Sequence, residues 1–351
     1  MLATRRRGVS LLEVLFSTGV ILIGMLGIMS VVPVAMQQIG KGRILDQAAR
    51  VGNNAVEDFL IRGFHERTRW RDPSGAGVVN PAPFDADLHT AFAIDPLFVT
   101  KQGVNVTPQY DTRYFPYYRD NLPLASGAVP LRMRRLTLAT PNVSIMSYVE
   151  AERIFLSDDE LTFDIPEEET LPPEQVFNDP INFDVRTYEG NLSWMATLAP
   201  LDLAGKPTLF RLSVVVFHGR TPAMPPDPAM ERLIPEVVMV SGAAGGEATL
   251  RVPNDRYEDL VDIDAGQWLM LMGSRPAAIP GLEPQPLYRW YRVVHADSEP
   301  VPDTSSSAPS PPPWLLDVTL EGADWPFNLQ TQAVFMPNIV HVRERTIRIG
   351  L

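Results

Sequence analysis

The sequence predicts an α+β protein: one long N-terminal helix, with a membrane half and an amphipathic half, packed on a mainly antiparallel β head with long Pro-rich loops. Three observations carry this expectation. Between Val14 and Met36 lie 23 consecutive residues without a charge. From Ile44 to Phe59 apolar residues recur at three- and four-residue spacing, the mark of an amphipathic helix. Further on, short apolar runs alternate with turn-forming text. The 34 prolines, well above an average usage of about 5%, disfavour an all-helical or a parallel-sheet fold.

The uncharged run comes first. As a helix it reaches about 35 Å against a hydrocarbon core of about 30 Å, so it can span a bilayer. Arg5, Arg6 and Arg7 precede it with no acidic neighbour, which holds the N-terminus in the cytoplasm and sends the rest of the chain outward. A secretory signal fits poorly: "PVA" at residues 33–35 resembles a cleavage site, yet the run exceeds the roughly 7–15 residues of a signal core. A twin-arginine signal finds only the arginine pair of "TRRRG". A plain single-pass anchor explains length and orientation but not Gly8 or Glu13. An ionised carboxylate inside a bilayer costs about 3 kcal/mol, so Glu13 calls for a compensating partner.

"RRRG" followed by "VSLLEVL" resembles the class III leader of type IV prepilins and type II secretion pseudopilins, and the stretch to Pro33 is most similar to PilV-type minor pilins. The resemblance covers about the first sixty residues. It implies cleavage between Gly8 and Val9 by prepilin peptidase and N-methylation of the new Val9 amine. It also implies that Glu13, at the fifth mature position, neutralises the amino terminus of a neighbouring subunit. The sequence departs from the family at the first mature position, where Val9 stands in place of the usual phenylalanine.

The expected organisation is a basic leader over 1–8, a transmembrane or filament-core helix over 9–36, an amphipathic helix continuing into the head over 37–70, and a β-rich extracytoplasmic head over 71–351. Within the second half of the helix, Ile44, Ala48, Val51, Ala55 and Phe59 form the apolar face, and Gly63 is the stop signal. Pro33, Gly40 and Gly42 predict a kink or local unwinding between the halves.

Residues 71–130 read as loop because prolines interrupt every period. Inside them "YFPYYR", residues 114–119, reads as aromatic packing that clamps the loop to the core. "SDDELTFDIPEEET" at 157–170 and "NDRYEDLVDIDAG" at 254–266 are acidic but lack calcium-loop spacing, so both read as solvated loops. Strands are expected over 208–217, 236–240, 248–252, 268–272, 288–295, 315–320 and 338–349. "GAAGG" at 242–246 reads as a hairpin loop, and the proline-rich 300–313 as an exposed loop with one strand pair after it.

No catalytic pattern is present. The chain has no cysteine, its five histidines are dispersed, and neither a phosphate loop, a dinucleotide fingerprint nor a nucleophile elbow occurs. The expectation is therefore a protein that is not an enzyme, with no catalytic residue, no cofactor and no metal. A formal net charge of −12 argues against nucleic acid as a partner. The remaining basic features are His341, Arg343 and Arg345 on one face of the last strand, and Arg132, Arg134 and Arg135 in "LRMRR". They read as a charged sheet edge, with DNA uptake as the minor alternative.

The expected function is that of a minor pilin or pseudopilin: a structural subunit of a type IV pilus or a type II secretion pseudopilus. Its expected partners are prepilin peptidase, other pilin or pseudopilin subunits, the inner-membrane assembly machinery and the lipid bilayer. It would start as a single-pass inner-membrane protein with its head outside and end in a periplasmic or surface filament. The alternative is a membrane-anchored extracytoplasmic binding domain.

Overall fold

The computed structural model describes residues 11–74, 91–107, 110–117, 131–139, 145–156, 161–163, 186–188, 191–201, 209–220, 230–275, 285–305, 309–326 and 329–349. It confirms the α+β class. The chain divides into two compact units, Met1–Gln47 and Ala48–Leu351.

Helix α1 runs without a break over Leu11–Ile61. Of the kink or local unwinding expected around Pro33, Gly40 and Gly42, the unwinding does not occur. Proline removes one donor from the ladder, and the helical residues on both sides carry the backbone across it. The helix stops where the sequence says it should, though by a motif the sequence did not spell out. Gly63 adopts φ +68°, its N–H donates to the Leu60 carbonyl at 3.1 Å, and the Phe64 N–H donates to the Phe59 carbonyl at 2.9 Å. This paired closure leaves the ring of Phe64 edge-on to Phe59, with centroids 6.0 Å apart. The helix thus ends at Ile61 rather than continuing to residue 70.

Strands are numbered β1 to β16 along the chain. The first sheet has the order β1 (Trp70–Arg71), β4 (Met133–Leu138), β2 (Phe92–Ile94), β7 (Leu192–Pro200), β8 (Leu209–His218), β16 (Ile339–Arg348), with β3 (Tyr114–Phe115) also on β4. Every pairing in it is antiparallel except β2 with β4. Next to it, β5 (Leu161–Phe163) and β6 (Arg186–Tyr188) form a two-stranded ribbon.

The second sheet closes on itself. The strands β10 (Gly245–Val252), β9 (Arg232–Met239), β15 (Thr331–Phe335), β11 (Trp268–Arg275), β12 (Gln285–Ala296) and β14 (Trp314–Glu321) follow in order, and β14 pairs with β10 to complete a six-stranded barrel. The short β13 (Val301–Pro302) adds to β14. Closure leaves no edge among these six strands.

Period-two alternation then sorts the side chains into three cores. From one face of the first sheet, Leu136, Trp194, Leu198, Leu212 and Val214 pack with Ala48, Val51, Ala55, Val56 and Phe59 of α1. From the other, Met133, Met195, Val215 and Phe217 meet Leu233, Met270, Met272, Trp290 and Val334 of the barrel. Leu250, Leu269, Leu271, Tyr291, Val293 and Phe335 fill the barrel interior. The first sheet is covered on both faces, so β7 is buried at every position and its "LSWMATLAP" shows no alternation.

Two helices lie where loop was expected or where nothing was assigned. Helix α2 (Pro96–Gln102) starts at Asp95, whose carboxylate accepts from the Phe98 N–H, with proline at the first position. Helix α3 (Tyr148–Phe155) opens on a reciprocal capping box between Ser147 and Glu150. The 71–130 segment therefore holds β2, α2 and β3 rather than loop alone. Three strands, β14, β15 and β16, follow the proline-rich 300–313 rather than one pair. In "YFPYYR", Phe115 and Tyr117 are buried as expected, and Tyr118 and Arg119 lie outside the described residues.

"GAAGG" does form the turn between β9 and β10. Gly246 has φ +77°, and a Cβ there would sit 2.0 Å from the Ser241 carbonyl oxygen. Gly103 also has a positive φ, +62°, but faces open space. Gly246→Ala should therefore lower unfolding free energy by about 2 kcal/mol or more, and Gly103→Ala by only about 1 kcal/mol, as read by chemical denaturation followed through tryptophan fluorescence.

Candidate functional site

Of the residues singled out in the sequence, Arg5, Arg6, Arg7, Gly8 and Val9 lie outside the described residues. Glu13 is described. It sits in the first turn of α1, where a carboxylate is favoured by the positive end of the helix dipole. Around it the helix has turned its hydroxyls inward: Ser17 Oγ donates to the Glu13 carbonyl at 2.7 Å and Thr18 Oγ1 to the Val14 carbonyl at 2.6 Å. Those side chains need no water.

The large apolar side chains described on this stretch are bare. From Leu11 to Ile39, sixteen large apolar side chains are 46–81% exposed. The segment is a helix long and apolar enough to cross a membrane, with mean hydropathy 2.3 over its best window. The second half of the same helix is different in kind, since Ala48, Val51, Ala55, Val56 and Phe59 are buried. Gly52 allows the close approach there: a Cβ would lie 2.8 Å from His341 Cδ2.

In the head the densest chemistry is a sealed quartet of charges. Arg135 of β4 donates through Nη1 to Asp95 Oδ2 at 2.6 Å and through Nη2 to both oxygens of Glu231 at 2.7 and 2.8 Å. Arg220, just past β8, forks onto Asp95 at 3.0 and 2.7 Å. The Tyr117 N–H donates to Glu231 at 2.9 Å. Aromatic rings close the box, with the Arg135 guanidinium 3.9 Å from the Phe98 centroid and that of Arg220 4.5 Å from Phe217. Burial alone would raise the Asp95 carboxyl, but Arg220 and Arg135 outweigh it and hold it below the ordinary range. For Glu231 burial dominates and pushes the carboxyl up, against the pull of Arg135 and Arg220. Two cations and two anions balance, and every carboxylate oxygen is engaged, so this arrangement joins elements and offers no group to a substrate.

The quartet corrects the reading of "LRMRR" as a charged sheet edge. Arg135 is fully buried, and Arg134 binds Asp72 at 3.0 Å. The other basic run behaves as an edge: Arg345 meets Glu57 of α1 at 2.5 Å, and Glu344 lies 3.8 Å from Arg211. Burial, then Arg343, lowers the His341 pKa. The acids of 254–266 are used in ion pairs, Arg256 with Asp259 and Arg232 with Asp262 at 2.6 Å. That segment is a helical turn and the short helix α4 (Glu258–Val261), not an open loop. The acidic 157–170 falls mostly outside the described residues. Among the described residues no group of three metal-binding side chains converges.

Sequence reasoning missed Asp95, Arg220 and Glu231. Only Asp95 carried a local signal, the Asp-Pro pair that opens a helix; the other partners are 96 or more residues from theirs in the chain, or follow a loop. No family model matches the chain, and no curated protein or solved structure is similar to it.

Removing one member of the quartet leaves buried charge unpaired. Arg135→Met should lower unfolding free energy by about 3–5 kcal/mol, whereas Arg134→Met, which loses a partly exposed pair with Asp72, should cost about 1 kcal/mol or less. Urea unfolding of the two variants beside the wild type checks the contrast.

Proposed function

We propose that the chain is a minor pilin-like or pseudopilin-like structural subunit of a type IV pilus or type II secretion pseudopilus. On this reading prepilin peptidase cuts between Gly8 and Val9, and the Val9 amine is methylated. The protein then waits in the inner membrane, single-pass, with its N-terminus in the cytoplasm and its head outside. The assembly machinery draws it from there into a periplasmic or surface filament among other subunits.

One observation carries the reading. A basic leader ending in Gly8 stands five residues before Glu13, and Glu13 lies in a helix whose large apolar side chains from Leu11 to Ile39 are exposed. A plain anchor accounts for the apolar surface but leaves the carboxylate without a purpose. A subunit that packs its helix beside others supplies one, because the new amine of Val9 in a neighbour is the charge that Glu13 lacks. The folded head is compatible with a structural role: its buried charges are spent on joining the sheet to the barrel.

The test is the mass of the mature N-terminal peptide from the native cell. It should begin at Val9 and carry one extra methyl, and loss of the three leader arginines should take the formal net charge from −12 to −15. A peptide beginning at Met1, with Arg5 to Gly8 intact, would instead favour the membrane-tethered binding domain. One beginning at Met36 would mean signal-peptidase cleavage.

A further inference from the structure

Strand β16 ends the first sheet. Among the described strands it pairs only with β8, so no described residue pairs with its outer backbone edge over Ile339–Arg348. Arg343, Glu344, Arg345, Thr346 and Arg348 are exposed along it. His341, Arg343 and Arg345 alternate onto the side that faces α1, as the approach of Gly52 to His341 and Arg343 and the pairing of Arg345 with Glu57 show. An open edge that is mostly cationic repels a second copy of itself. It suits an extended segment rich in carboxylates.

The chain contains one. Residues 157–170, "SDDELTFDIPEEET", hold seven acids and no base. Their described part, Leu161–Phe163, is already in strand form within the β5–β6 ribbon. That ribbon continues the sheet in register: Leu156 bridges to Ser193 of β7, and five residues on, Leu161 pairs with Tyr188, five residues before Ser193. The direction matters. Ser193 is level with Phe217 of β8, which is level with Ile339 at the start of β16. The ribbon therefore leaves the sheet past the end where β16 begins, away from the open edge of its own chain.

We infer that the open edge of β16 receives the acidic 157–170 segment of a second copy of this chain, added as an extra strand. Backbone hydrogen bonds supply the pairing, and the carboxylates meet Arg343 and Arg348. Donor and acceptor surfaces differ, so the contact is heterologous and propagates from copy to copy instead of closing a dimer. It does not depend on how the N-terminus is processed.

The test uses the absence of cysteine in the chain. Full-length Asp159→Cys and Thr346→Cys, purified separately in detergent micelles, are mixed and oxidised; Asp159→Cys with Glu299→Cys, on the barrel, is the control. The first mixture should form a disulfide-linked pair well above the control. Adding Arg343→Glu and Arg348→Glu to the Thr346→Cys chain should cut the yield roughly tenfold, with unchanged circular dichroism. Raising salt to about 0.5 M should weaken the link as well. Equal yields in the first mixture and the control would overturn the inference. So would a link that forms only within one chain carrying both cysteines, which would make the segment its own chain's edge cover.

Discussion

The constraint from which the rest follows is the bare apolar half of α1. Covering a side chain of the size of leucine or phenylalanine is worth about 1.5–3 kcal/mol, so the sixteen exposed between Leu11 and Ile39 represent tens of kcal/mol. A domain is stable by only about 5–15 kcal/mol, so no rearrangement of the head could offset leaving that surface in water. Such a surface calls for an apolar surrounding, and the helix is long and apolar enough to find one in a membrane. Against this, the roughly 3 kcal/mol for one carboxylate is small, and Glu13 does not prevent insertion. On the proposed reading it makes a particular arrangement of neighbours better than a lipid-only one.

The head answers a different requirement: its two β layers have to be held in one register. A covered sheet and a closed barrel pack through apolar side chains that would tolerate some sliding. The Asp95–Arg135–Arg220–Glu231 quartet does not, because Arg220 forks onto Asp95 while Arg135 must reach Asp95 and Glu231 at once. Arg220 and Glu231 also stand at the two ends of residues 221–229, where the chain crosses from sheet to barrel. The quartet's contribution is thus positional more than energetic, since a well-packed apolar replacement of all four could be equally stable. Gly63 closes α1 on the helical side of the same sheet, where Phe59 and Phe64 enter the core.

The sequence made some of this legible and concealed the rest for physical reasons. Strands β8, β9, β10, β11, β12, β14 and β16 show through because β-branched and aromatic runs bounded by turn text survive at the barrel wall and the sheet end. Strand β7 was hidden by burial on both faces, β2 and β15 by their shortness. The caps at Asp95 and Ser147 are local signals, each opening a helix of only seven or eight residues in proline-interrupted text. Arg135 read as a surface cation, because nothing local marks a charge whose partners lie 40 and 96 residues away. The leader and Glu13 are the reverse case: a linear signal, wholly legible in the sequence, whose proposed partner would belong to another chain.

The most direct measurement is therefore made on Glu13. If the chain is processed as proposed, a Glu13→Leu chain should insert with unchanged topology and still be cut after Gly8, since neither step uses the carboxylate. Without it the Val9 amine of a neighbour would be left unpaired in hydrocarbon, at a cost of about 3–5 kcal/mol, and assembly should fail. Fractionating mature protein between membranes and sheared filaments, wild type beside variant, reads the difference. The expected result is normal recovery in the membrane and loss from the filament fraction; equal recovery in filaments would contradict the pairing of Glu13 with a neighbouring amine.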